Sequence, residues 1–220
     1  MEESPVNPRM VNPRSRFAPR RVGILGGSFN PAHAGHRDIS LAALGRLGLD
    51  QVWWMVSPQN PLKPVKGMAP FAARIGAAQA VARHPRIRVV DIEERLGTRY
   101  TADTLRKLVR AFPRTRFIWL MGADNLIQIV EWADWKEIFH TVTIAVFARP
   151  TYCFGALAGL AARRFARRRL AASAAGLLAR NSLPAWVFLF TRLNPTSASA
   201  IRARRSGSAK ARVGATQTAR

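Results

Sequence analysis

The chain reads as a doubly wound α/β fold, a parallel sheet with helices on both faces. Three observations predict it. Short apolar runs alternate with helically periodic segments from Val22 to Phe147. Several of the runs are apolar almost throughout, as strands covered on both faces are. The first run also ends in a glycine-rich turn that leads into a helix, at the carboxyl end of a strand, where open α/β sheets bind ligands.

Taken in order, the strand candidates are Val22–Leu25, Gln51–Val56, Ile87–Ile92, Thr115–Met121 and Val142–Phe147, rich in Val, Ile, Trp and Phe and bounded by Gly, Pro or polar breaks. Trp53, Trp54 and Trp119 lie inside these runs and are assigned to the core. A helix begins near Arg37 after the glycine turn. A second starts at Pro70, a favoured first helical residue, and carries Phe71, Ile75, Ala78 and Ala82 on one face. A third carries Leu105, Leu108, Val109 and Phe112, with Thr101 as its expected N-cap. Beyond Pro150 the pattern changes. The Ala/Arg/Leu-rich stretch from Phe154 to Ala179 reads as one or two amphipathic helices, followed by a strand candidate, Trp186–Phe190, and a polar cluster, Asn194–Arg202.

The 220 residues suit one principal domain, expected over residues 21–205, with a disordered basic arm at 1–20 and a basic flexible tail at 206–220. Cys153 is the sole cysteine, which excludes an intrachain disulfide and disfavours a cysteine zinc site; it fits a cytoplasmic protein. The first twenty residues are rich in proline and arginine and lack the apolar region of a secretory signal. Arginines interrupt the most apolar later stretch, Cys153–Leu178, so no membrane span is expected. The net charge of +23 is concentrated in Arg9–Arg21, Arg163–Arg169 and Arg202–Arg220. It predicts attraction to polyanions without naming one. Neither zinc-finger spacing nor an RNA-binding aromatic signature is present, so specific nucleic-acid recognition is not expected.

The most informative stretch is Gly26-Gly27-Ser28-Phe29-Asn30-Pro31-Ala32-His33-Ala34-Gly35-His36. Glycines between strand and helix let backbone N–H groups close on a phosphate at the positive end of a helix dipole. His33 and His36, three residues apart, share a helix face and add imidazole donors. The motif is neither the dinucleotide-binding fingerprint nor a P-loop.

Gly-Ser-Phe-Asn-Pro-x-His-x-Gly-His resembles the signature of the His-x-Gly-His nucleotidyltransferases, whose fold is Rossmann-like. Further positions resemble one branch, the bacterial nicotinate-nucleotide adenylyltransferases: Tyr100–Leu105, Gly122–Leu126 with Trp132 following, and Thr196–Arg202. The resemblance runs from about Val22 to Arg202 in order and without large gaps. Two departures stand out. Asn30 occupies a position where the family often has Asp, and Ser206–Arg220 lacks the apolar stripe of the family's closing helix.

The resemblance implies ATP-dependent adenylyl transfer to nicotinate mononucleotide, giving deamido-NAD and pyrophosphate. It assigns His33, His36 and Arg202 to catalysis. ATP would be held by Gly26, Gly27, Ser28 and Phe29 through backbone amides, by the two histidines, by Lys63, and by Ser197, Ser199 and Arg202 as a second phosphate cradle. Thr101, Asp124, Trp132 and Arg149 would face the mononucleotide, with Trp132 stacking on the pyridine ring from a helix and Asp124 on a ribose; helix cap is the other reading of Asp124. Mg²⁺ is expected as part of Mg·ATP, since no clustered carboxylates for a dedicated ion are evident. Two alternatives stay open: another enzyme of this superfamily, such as phosphopantetheine adenylyltransferase or a cytidylyltransferase, and a non-catalytic polyanion-binding module. The sequence leaves oligomeric state undetermined.

Overall fold

The computed structural model describes residues 20–59 and 67–191. Seven strands form one all-parallel sheet: β1 (Arg21–Gly27), β2 (Gln51–Val56), β3 (Ile87–Val90), β4 (Arg116–Gly122), β5 (Thr143–Phe147), β6 (Arg169–Leu170) and β7 (Trp186–Leu189). Their order is β3-β2-β1-β4-β5-β7-β6. The chain winds outward from β1 to one edge, then returns to β4 on the other side, so β1 and β4 flank the topological switch point.

Alternation within each strand shows both faces covered. Val22 and Ile24, Trp53 and Met55, and Phe117, Trp119 and Met121 enter one core. Leu25, then Val52, Trp54 and Val56, then Ile118 and Leu120 enter the other. Helices α1 (Ala34–Arg46) and α2 (Phe71–Ala82) cover the second face through Ala43, Leu44, Ile75, Ala78 and Ala82. The first face is covered by α3 (Ile92–Leu96), α4 (Thr101–Ala111), α5 (Ala123–Gln128), α6 (Trp135–Thr141), α7 (Cys153–Ala158) and α8 (Leu160–Arg164). Leu105 and Leu108 of α4 are fully buried there, each contributing about 2 kcal/mol by removal from water.

The structure corrects four boundaries. Helix α1 opens at Ala34 rather than near Arg37, because the His33 side chain caps it. Ile92 belongs to α3, not to the strand before it: acidic Glu93 and Glu94 in the first turn, a 2.7 Å Asp91–Arg95 ion pair and a left-handed Gly97 terminator make a helix of this stretch. Thr101 is the first residue of α4 and Tyr100, with extended backbone, holds the N-cap position. The Phe154–Ala179 region forms α7, α8, 3₁₀ turns at Ala166–Arg168 and Ala172–Arg180, and the short β6, not long helices. Gly159, with extended backbone, caps the end of α7 and the start of α8, and like charges four residues apart, Arg163 with Arg167 and Arg164 with Arg168, oppose continuous winding. The terminal arm and tail, Lys63 and the Ser197–Arg202 cradle lie outside the described residues.

Candidate active site

The glycine turn leaves β1 directly beside the switch point. Gly26 has no room for a side chain, since an added Cβ would run into the Trp119 ring on neighbouring β4. Gly27 has ordinary space around it, with Phe29 the nearest neighbour at 3.7 Å. Phe29 turns the chain with φ +46°, a backbone region that L residues rarely adopt. Its ring packs against both His36, 4.7 Å away, and Trp54, stacked at 5.2 Å, and those two rings lie 5.8 Å from each other. Asn30 donates from Nδ2 to the Gly67 carbonyl at 3.1 Å and accepts from the Ala69 amide at 3.3 Å. An aspartate could not make the first of these bonds, so the departure from the family's usual acid ties the turn to the approach of α2.

His33 and His36 close a capping box of unusual composition. His33 Nδ1 accepts the Gly35 amide at 3.2 Å, and His36 Nδ1 accepts the His33 amide at 3.2 Å. Two imidazoles thus do what Ser or Thr and Glu do in the common form of this cap. With Nδ1 accepting, each neutral ring carries its proton on Nε2. The rings lie 3.9 Å apart. Burial, aided by the Arg149 charge and opposed by Asp38, pulls the His33 imidazole down to about 4. His33 is therefore a neutral Nε2–H donor near pH 7. The first turn of α1 holds no acidic residue, so the positive end of its dipole is left for a ligand.

Across the switch point, Asp124 lies in the first turn of α5 and Arg149 follows β5. They pair at 3.0 Å, while the second carboxylate oxygen of Asp124, Oδ1, is buried without a hydrogen-bond partner among the described residues. Gly122 must lack a side chain here, because a Cβ would strike that carboxylate and approach Arg149. Trp132 follows the 3₁₀ turn Ile129–Glu131 with extended backbone, so it does not lie on a helix as its polar neighbours suggest. It is half-buried and set edge-on against Trp119 at 6.2 Å. Trp53, Trp54 and Trp119 are core, as their strand positions predict.

The structure therefore brings together the turn Gly26–Phe29, His33, His36, Asp124 and Arg149, and links Trp132 to the turn through Trp119. Thr101 is the half-buried first residue of α4. Two buried charged residues escaped the sequence reading. Arg74 is 2% exposed and Glu93 is 5% exposed. Burial pushes the Glu93 carboxyl up, against a hydrogen bond from the Ser57 side chain. The signal for Arg74 was present: it falls on the apolar stripe of α2, between Phe71 and Ile75. Among the described residues no group of three or more His, Cys, Asp or Glu side chains is placed to hold a metal ion.

The family model for cytidylyltransferase-like domains matches residues 24–204, a span that holds the glycine turn, the imidazole-capped helix start and the Asp124–Arg149 pair, and with the relatives it makes this chain a nucleotidyltransferase. A relative from Parvibaculum lavamentivorans, named a probable nicotinate-nucleotide adenylyltransferase, is 53% identical over 84% of this chain and 92% of its own. One of the same name from Ruegeria pomeroyi is 50% identical over 83% and 85%. The chain belongs to the nicotinate-nucleotide adenylyltransferase family. A solved structure, the Plasmodium falciparum nicotinic acid mononucleotide adenylyltransferase complexed with NaAD, aligns with a TM-score of 0.63 at 15% identity, over 83% of this chain and 82% of that one; this likeness concerns the fold alone.

Proposed function

We propose that this enzyme transfers the adenylyl group of ATP to nicotinate mononucleotide, releasing pyrophosphate and forming deamido-NAD for NAD biosynthesis. The observation that carries the reading is the pair of imidazoles locked at Nδ1 beside the glycine turn, at a helix start that lacks acidic residues. The relatives' shared name supplies the acceptor.

In this reading the mononucleotide's 5′-phosphate attacks the α-phosphorus of ATP, and pyrophosphate leaves. The nucleophile is already anionic, so no protein base is required. Catalysis comes from aligning two polyanions and stabilising charge on the transferring phosphoryl. His36 donates to the transferring group and His33 to a neighbouring oxygen. The amides of Gly26 to Phe29 and the α1 dipole add fixed positive potential. Mg²⁺, carried by ATP, would lower the negative charge of the triphosphate when bound. Asp124 Oδ1, buried and without a partner among the described residues, suits a ribose hydroxyl, while Arg149 orients the Asp124 carboxylate and adds charge at the mouth of the site. Trp132, braced by Trp119, would offer its face to the pyridine ring, and Thr101 with nearby amides would face the carboxylate. Lys63, Ser197, Ser199 and Arg202 complete the phosphate contacts on the strength of the sequence resemblance. The single cysteine fits a cytoplasmic enzyme, and among the described residues no helix is long and apolar enough to cross a membrane.

Isotope fate tests the reaction type. With ATP labelled at the α-phosphorus, the label is expected in the dinucleotide; with ATP labelled at the γ-phosphorus, in pyrophosphate. Label from the γ-position on the mononucleotide would mean kinase chemistry and overturn the proposal.

A further inference from the structure

The glycine turn is held from behind by a side chain outside the motif. We infer that Arg74 is a positioning residue of the phosphate site: its guanidinium fixes the peptide between Ser28 and Phe29 so that the Phe29 N–H faces the triphosphate. The inference rests on the adenylyl-transfer reading.

Arg74 lies on α2, yet its head group reaches three other segments. Nε donates to the Ala69 carbonyl at 3.0 Å. Nη1 donates to the Ser28 carbonyl at 2.8 Å and to the Ser57 carbonyl at 2.7 Å, and Nη2 donates to the Pro58 carbonyl at 2.7 Å. The planar fork thus gathers the turn after β1, the segment after β2 and the approach to α2. Among the described residues no carboxylate pairs with it. A buried cation held only by carbonyl dipoles is costly, and an apolar side chain would bolt this helix to the sheet at less cost.

What the fork supplies and an apolar bolt does not is orientation. In a trans peptide the C=O and N–H point in opposite directions, and Ser28–Phe29 is trans. Drawing the Ser28 oxygen onto Arg74 turns the Phe29 N–H away from α2. The turn needs this hold because Phe29 adopts φ +46°. His36 and Trp54 grip its ring on one side, and Arg74 grips the preceding carbonyl on the other. The donor is aligned before the triphosphate arrives, which is where electrostatic catalysis gains its strength.

Arg74→Lys keeps the charge and removes the planar fork. Beside an active wild type, R74K is expected to lower kcat/KM for Mg·ATP by about tenfold or more, with KM for nicotinate mononucleotide and affinity for adenosine held within about twofold. Equal losses for all three ligands, or no loss, would reduce Arg74 to a structural bolt. A measurement on the unaltered chain does not depend on how variants fold. In ¹⁵N-labelled protein the Phe29 amide resonance should shift with a non-hydrolysable Mg·ATP analogue and stay put with adenosine. If the analogue shifts other amides and leaves Phe29 silent, the role of Arg74 fails and adenylyl transfer stands. If wild-type protein binds no analogue and releases no pyrophosphate, both fail.

Discussion

The imidazoles of His33 and His36 each give Nδ1 to a backbone amide, and that one commitment sets both helix start and chemistry. Replacing His36 with Ala is expected to cut turnover by at least about a hundredfold, as loss of a preorganised donor does, with circular dichroism unchanged; undiminished turnover would remove it from the mechanism. His33 carries a pH signature. Its folded-state imidazole titrates at about 4, below the ordinary value of 6.5. The unfolded chain therefore takes up a proton as pH falls through 6.5 while the folded chain does not until about 4, and stability declines across that window. His33→Asn keeps a cap acceptor and abolishes the titration, so its Tm should fall less between these pH values than the wild type's. Trp132→Ala should weaken the mononucleotide and leave ATP affinity nearly untouched; equal losses would mark Trp132 as core packing against Trp119.

At the scale of elements, the packing of β1 on β4 decides which glycine serves the fold. Gly26→Ala should destabilise the protein, because the new methyl meets the Trp119 ring in the centre of the sheet. Gly27→Ala should fold, so any activity it loses reports on the ligand side of the turn; thermal denaturation of the two variants separates the cases. The strands were legible because burial on both faces leaves an unbroken apolar imprint. The histidine pair was legible from spacing. The cap it forms was not, since histidine is rare in that role and only the folded turn brings Nδ1 to the amides. Helix α3 was masked by Ile92, an apolar residue that also fits the end of a strand. Arg74 shows in the sequence only as a charge on the apolar stripe of α2; its role does not, because its partners are carbonyls, which carry no sequence signature. The Phe154–Ala179 stretch misled because alanine, leucine and arginine all favour helix, while Gly155, Gly159 and Gly176 weaken it.

Over the whole molecule, the doubly wound sheet carries the turn, the capped helix and the Asp124–Arg149 pair to the carboxyl ends of β1, β4 and β5. The charge of +23 draws polyanions of any kind toward the molecule. It cannot choose among them; the site must. Discrimination is expected at the pyridine substituent, where backbone donors can satisfy both oxygens of a carboxylate but meet the donors of an amide. The most direct test is pyrophosphate release from Mg·ATP with nicotinate mononucleotide, its amide analogue and 4′-phosphopantetheine in parallel. Rapid release with the acid and much slower release with the amide is the predicted result. Release only with phosphopantetheine, or none with any acceptor, would contradict it.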